Sequence, residues 1–149
     1  MSDRKPDFII NADGGARGNP GPAAYGFAIT DAHGKEQKAA GKPIGETTNN
    51  VAEYRSVIEA LKTLKAMIGG ERAKEAAVEM RMDSELVVRQ MNAEYRVREP
   101  QLVPLFVEVW NRKQDFASVT FRHVRREENR VADRLVNKAL DHEPQNLAI

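Results

Sequence analysis

The chain has 149 residues, 41% hydrophobic and 30% charged, with 23 basic against 22 acidic side chains and no cysteine. That length supports one buried core, and the composition excludes the disordered, collagen-like and low-complexity classes. A formal net charge of +1 excludes a generally basic coat that binds nucleic acid by bulk electrostatics, and the missing cysteines exclude disulfides, thiolate nucleophiles and cysteine zinc sites. No apolar run approaches the roughly 18 to 20 residues of a membrane span, and residues 1–7 are polar where a secretory signal would be apolar. The expectation is a soluble, cytoplasmic monomer with no membrane partner.

In chain order, residues 8–13 are short and apolar, 24–30 are rich in strand formers, and 35–42 follow a turn at Asp31-Ala-His-Gly34. An antiparallel meander is predicted. Between the first two strands, Gly14-Gly-Ala-Arg-Gly-Asn-Pro-Gly-Pro22 is too rich in Gly and Pro for a regular element and is predicted as a structured loop. After Thr47-Thr-Asn-Asn50 the period changes. Val57, Ile58, Leu61, Leu64, Lys65 and Ile68 lay a mostly apolar stripe at helical spacing that ends at Gly69-Gly70, predicting a helix over 50–68. A strand over 77–83, helices over 84–92 and 101–113, a strand over 119–124 and a helix over 129–140 complete the pattern. With no repeat or linker, this order predicts a single α/β domain over residues 1–141. Its three layers would enclose a mixed sheet with parallel central strands, and residues 142–149 would be a frayed, disordered tail.

Four acids stand out against this frame. Glu53 shares its helix face with Val57 and Leu61, four and eight residues on, so an acid points toward the sheet. Asp133 bears a similar relation to Val136 and Leu140. Asp13 closes the first predicted strand and Asp83 the fourth, and parallel neighbours would bring these two together beyond the strand ends, where α/β sheets place ligand sites. Capping is the rival explanation, because three of the acids lie at predicted helix starts, and Asn50-Val-Ala-Glu53 has the form of a capping box. Capping leaves Asp13 unexplained, and also the inward side of Glu53 and Asp133. Carboxylates gathered in a desolvated place repel one another and call for a cation, and a hard divalent metal is the economical one.

The segments Asn11-Ala-Asp-Gly-Gly-Ala-Arg-Gly-Asn-Pro-Gly-Pro22, Thr47-Thr-Asn-Asn-Val-Ala-Glu-Tyr54, Met82-Asp-Ser-Glu-Leu-Val87 and His123-Val-Arg-Arg-Glu-Glu-Asn-Arg-Val-Ala-Asp133 resemble the ordered motifs of type 1 ribonuclease H over about residues 7 to 141. The resemblance implies a ribonuclease H-like three-layer fold. Its five-stranded mixed sheet has the order 3-2-1-4-5, strand 2 antiparallel, with helices on both faces. It also implies endonucleolytic hydrolysis of the RNA strand of RNA/DNA hybrids by two metal ions, magnesium or in its place manganese, leaving 5′-phosphate and 3′-hydroxyl ends. By motif position Asp13, Glu53, Asp83 and Asp133 match the four metal-site carboxylates, with Asp13 bridging. His123 matches a loop histidine that assists proton transfer and product release.

Substrate contacts implied in the same way fall on Gly14, Gly15, Asn19, Thr48, Asn49, Asn50, Ser84 and Glu85. Turn and capping chemistry is the alternative for Asn19 and Asn50. Arg122, Arg125, Arg126, Arg130 and Arg134 form a basic cluster interrupted by Glu127, Glu128 and Asp133, a pattern that also suits a solvated face. Between Asn92 and Pro100 only seven residues stand where some family members insert a helix and a basic protrusion that grips the hybrid. Arg96 and Arg98 lie in this short form, and Glu85 stands where several relatives have glutamine. Three other functions stay open: a non-catalytic hybrid-binding module of the same fold, a relative that also cleaves double-stranded RNA, and an interaction domain whose acids only cap helices. A proofreading exonuclease would show Asp-x-Glu on the first strand, whereas Gly14 and Gly15 follow Asp13.

Overall fold

The computed structural model describes residues 4–142. Strands β1 (Phe8–Ala16), β2 (Gly21–Asp31) and β3 (Glu36–Thr47) form the meander. Helices α1 (Asn49–Ile68) and α2 (Gly70–Glu75) lead to β4 (Ala77–Met82), α3 (Glu85–Met91), α4 (Val103–Lys113), β5 (Ser118–His123) and α5 (Arg130–Asp141). The sheet order is β3-β2-β1-β4-β5. Strand β2 is antiparallel to both neighbours, and β1, β4 and β5 are mutually parallel. This is the predicted architecture, with the predicted order.

The two faces of the sheet bury different side chains because β2 alternates. Tyr25, Phe27 and Ile29 join Tyr54, Val57, Ile58, Leu61 and Leu64 of α1 in the main core, and each buried side chain of this size stabilises the fold by roughly 1.5 to 3 kcal/mol. Ala24 faces the other way, onto Val136, Ala139 and Leu140 of α5. Small residues let α5 lie close. A Cβ on Gly26 would meet the Ala132 carbonyl oxygen at 2.8 Å, and one on Gly41 the Leu135 carbonyl oxygen at 2.6 Å.

Several boundaries differ from those expected. The segment 14–22 is largely strand, with β1 running to Ala16 and β2 starting at Gly21. The weak strand preference of glycine is offset by cross-strand pairing, since Gly14, Gly15 and Ala16 pair with Tyr25, Ala24 and Ala23. The turn is confined to 17–20. Strand β3 runs on to Thr47, because its pairing with β2 continues past a bulge to Gly21. The Gly69-Gly70 stop is real for α1, whose C-cap Gly69 has φ 87°, a left-handed conformation that suits glycine. A short second helix, α2, nevertheless restarts there. Of the expected tail, everything beyond His142 lies outside the described residues.

Candidate active site

The parallel pairing of β1 with β4 ends at Asn11 opposite Arg81. Continuing that register two residues places Asp13 opposite Asp83, at the carboxyl end of β4. Asp13 therefore does not close its strand. It lies within β1, where pairing with β2 persists but pairing with β4 has ceased, and this splayed edge opens the site. Met82 pairs with His123 on β5, which brings the histidine to the same rim.

Helix α1 supplies the next carboxylate. Thr48 is its N-cap, with the Thr48 hydroxyl accepting from the Val51 N–H. Glu53 takes no part in capping, so the rival reading of 50–53 as a capping box does not hold. Instead Glu53 reaches across to β1, where the Gly14 N–H donates to Glu53 Oε1 and to Asp13 Oδ1, both at 2.9 Å. That approach requires glycine at 14, since a Cβ there would fall into the backbone of Ala52 and Glu53. Asp83 likewise does not cap α3; Ser84 does, accepting from the Val87 N–H at 3.3 Å.

Carboxylate oxygens of Asp13, Glu53 and Asp83 lie within 4.8 Å of one another. Asp13 and Glu53 are only 7% and 9% exposed, and among the described residues no lysine or arginine pairs with any of the three. Burial, then the charges of Asp83 and Asp133, push the Asp13 carboxyl from its ordinary 3.8 up to about 7, against the Gly14 N–H, which lowers it. Burial, then Asp13 and Asp83, also hold Glu53 well above the usual carboxylate range. Two buried acids and a partly buried third, with no lysine or arginine paired to them among the described residues, are a donor set that fits a hard divalent cation.

Asp133 stands apart from this trio. It lies in the first turn of α5 and lines the same cleft of about 810 Å³, but its oxygens fall outside the 4.8 Å group. The structure thus brings three of the four expected acids together and leaves the fourth elsewhere on the same cleft, near enough to raise Asp13. His123 is exposed on the cleft wall, beside Arg125, Arg126 and Glu127.

Of the expected substrate contacts, Gly14, Gly15, Asn49 and Ser84 line the cleft, whereas Asn19, Thr48, Asn50 and Glu85 do not. The Asn19 side-chain carbonyl accepts from the Asn49 N–H at 3.0 Å, and the Asn49 side-chain carbonyl accepts from the Ala16 N–H at 2.7 Å. Together they staple the β1–β2 turn to the start of α1. The Asn50 amide donates to Glu99 at 2.9 Å, and Glu85 accepts from Arg89 at 2.8 Å. The basic cluster is partly neutralised: Arg125 lies near Glu127 and Glu128, and Arg122 near Glu79.

Sequence reasoning missed Asn129, 1% exposed just before α5. Its amide donates to the Ala12 carbonyl at 2.9 Å and its side-chain carbonyl accepts from Asn11 at 3.0 Å. The Asp133 N–H in turn donates to the Asn129 backbone carbonyl. Asn129 therefore locks the start of the helix bearing Asp133 to the strand bearing Asp13. The available signal was an asparagine, a poor helix former, at a helix start with no charge of its own.

A five-stranded sheet of this order, with acids from β1, α1 and the end of β4 on one rim, defines the ribonuclease H-like class of α/β domains. The chain belongs to the family described as reverse transcriptase-like, which matches residues 11–139, and within it to type 1 ribonuclease H. Among solved structures, LC11-RNase H1 in complex with RNA/DNA hybrid is 47% identical, covering 90% of this chain and 96% of that one, with a TM-score of 0.85. The N-terminal RNase H domain of rv2228c from Mycobacterium tuberculosis is 38% identical, with coverage of 95% and 99% and the same TM-score of 0.85. Ribonuclease HI of Halobacterium salinarum is 37% identical over 129 residues, 87% of this chain. The chain spans 37% of the length of the full-length mycobacterial bifunctional protein and 62% of the Halobacterium one.

Proposed function

We propose that this chain is an endonuclease that hydrolyses the RNA strand of RNA/DNA hybrids, using magnesium, or manganese in its place, and leaving 5′-phosphate and 3′-hydroxyl ends. One observation carries the reading: Asp13, Glu53 and Asp83 present oxygens within 4.8 Å of one another, and among the described residues no lysine or arginine pairs with them. Asp13, Glu53 and Asp83 would hold one divalent ion, and Asp133 would complete a second position shared with Asp13. Two such ions supply an activated water, neutralise the phosphate's non-bridging oxygens and stabilise the departing 3′ oxygen.

The protein's own part is to hold the site and move protons. The Gly14 N–H fixes one oxygen of Asp13 and one of Glu53, and both acids line the cleft. Asn129 sets the spacing between Asp133 and Asp13. His123, exposed at the rim and lining the cleft, would carry a proton toward the leaving oxygen and back to solvent. Gly15, where an added Cβ would meet nothing closer than 3.8 Å, would admit a nucleic acid backbone close to the strand, and Asn49 and Ser84 line the same cleft. Recognition would rest on shape and 2′-hydroxyls rather than base edges.

The test is to incubate labelled RNA/DNA hybrid, double-stranded RNA and duplex DNA side by side with the full chain in magnesium, manganese or EDTA. The proposal expects metal-dependent cutting of the hybrid's RNA strand. Binding without cutting would indicate a non-catalytic module, and equal cutting of double-stranded RNA would widen the substrate class.

A further inference from the structure

Among the described residues six large apolar side chains are exposed, and three of them, Val103, Val107 and Trp110, stand on α4. Their spacing of four and then three residues draws one stripe along the helix. A fourth, Tyr95, lines a groove with Val103 and so extends the stripe past the first turn. The inward side of α4 is a different one: Val109 is fully buried, and Leu105 and Phe106 pack against the main core. The helix therefore carries two apolar faces, and only one of them is covered.

The uncovered face is ordered and uncharged. Lys113 lies 5.5 Å from the centre of the Trp110 ring and 5.7 Å from that of Phe121, which holds the indole in place. Gln114, at the C-cap, continues the stripe, and its amide donates to the Trp110 carbonyl at 3.2 Å. Glu108 and Arg112, on the same helix, pair with each other at 3.4 Å. None of the stripe residues lines the acidic cleft.

We infer that this face docks a second copy of the chain, in place of the expected monomer, with α4 antiparallel to α4 about a twofold axis between Val107 and Trp110. A twofold contact lays a surface against itself, and an uncharged stripe beside an ion pair closed within its own helix meets no like charge there. Antiparallel pairing sets the large Trp110 against the partner's Val107, and Val103 against the partner's Gln114. It also keeps the Arg112 and Lys113 ends of the two helices apart, whereas a parallel pair would set these bases against each other. Tyr95, Val103, Val107 and Trp110 are each about half exposed, and Pro104, Asn111 and Gln114 form an exposed rim. Together they offer roughly 500 Å² per chain, or about 1,000 Å² for the pair, at the lower bound of specific interfaces. An interface of this size predicts a weak dimer with a dissociation constant of roughly 10 to 100 µM.

The test is sedimentation velocity on the full chain from about 1 to 500 µM, where the wild type should pass from monomer to dimer. Trp110→Gln should weaken the association roughly tenfold or more and leave the melting temperature unchanged. Cross-linking tests the register, because the chain has no cysteine of its own. In the double variant Val103→Cys/Gln114→Cys the two thiols stand about 16 Å apart along one helix, too far to pair within a chain. Antiparallel contact brings each against its counterpart on the second copy, so mild oxidation should give a covalent dimer, and neither single variant should cross-link as fast. A wild type that stays monomeric over the whole range overturns the inference, as does a Trp110→Gln variant that associates as well as the wild type. A double-cysteine variant that does not cross-link, or a single one that matches it, overturns the antiparallel pairing. None of these outcomes bears on the nuclease reading.

Discussion

Replacing Asp13 by asparagine is expected to stabilise the metal-free protein at neutral and alkaline pH while abolishing hydrolysis. Raising a carboxyl from 3.8 to about 7 on folding amounts to a ceiling of ~4 kcal/mol at about 1.4 kcal/mol per pH unit. Side-chain relaxation and water entry into the cleft lower this to about 2 kcal/mol. Because the folded-state pKa is the higher one, the acid's contribution is fully present below about pH 4 and is lost as the pH rises through about 7. The wild-type chain should therefore lose stability across that window in EDTA, whereas the Asp13→Asn variant should lose less. The new side-chain carbonyl can still accept from the Gly14 N–H, and its amide can donate to Glu53, so the geometry survives. At about 2 to 4 °C per kcal/mol for a chain of this size, the variant should melt about 4 to 8 °C above wild type at about pH 8 in EDTA, and within about 1 °C of it at about pH 4. Magnesium should narrow the gap at the higher pH by stabilising only the wild type. Thermal scans at the two pH values decide the matter. A gain that is equal at both, or absent at the higher one, would refute the claim that burial of the ionised Asp13, together with repulsion from its neighbouring carboxylates, strains this site.

Gly14→Ala should cost at least about 2 to 3 kcal/mol, because its Cβ must displace the Ala52–Glu53 backbone; urea melts would measure it, and a neutral result would contradict the close approach of α1 to β1. Asn129→Ala should cost about 1 to 3 kcal/mol by leaving the Ala12 carbonyl unsatisfied, and should lower kcat more than it raises KM, since Asp133 loses its tether; denaturant melts and steady-state kinetics check the two parts. His123→Ala should reduce kcat on the hybrid by roughly 10²-fold with unchanged hybrid affinity and unchanged melting temperature; kinetics beside anisotropy would separate these.

The sheet was legible because its elements differ in period. The α1 stripe from Val57 to Ile68 and the alternation of β4 are local patterns, each imposed by what its face must bury. The hairpin arms around residues 17–20 were not legible, because Gly14, Gly15 and Gly21 owe their extended backbone to partners in another strand rather than to their own preference. The acids illustrate the same division at the site. Asp13 and Asp83 could be matched by register alone, and Glu53 by its place on a buried helix face. Asp133 could not be placed as finely, because its position depends on how far α5 stands from the sheet. That distance is set by Gly26 and Gly41 beneath the helix and by Asn129 at its start, through contacts between residues far apart along the chain that no local pattern records.

What each residue costs alone and contributes together follows from this arrangement. Ser84 and Thr48 take the caps, which frees Asp83 and Glu53 from the local duty that would otherwise explain an acid at a helix start. The Gly14 N–H, one donor shared between Asp13 and Glu53, is too little to neutralise two buried carboxylates. A fold that relieves its acids of capping, buries Asp13 and Glu53 and, among the described residues, sets no lysine or arginine against them gains stability when protons or metal ions occupy the gap. The same arrangement that weakens the metal-free protein above about pH 7 is the one that a bound divalent cation would relieve.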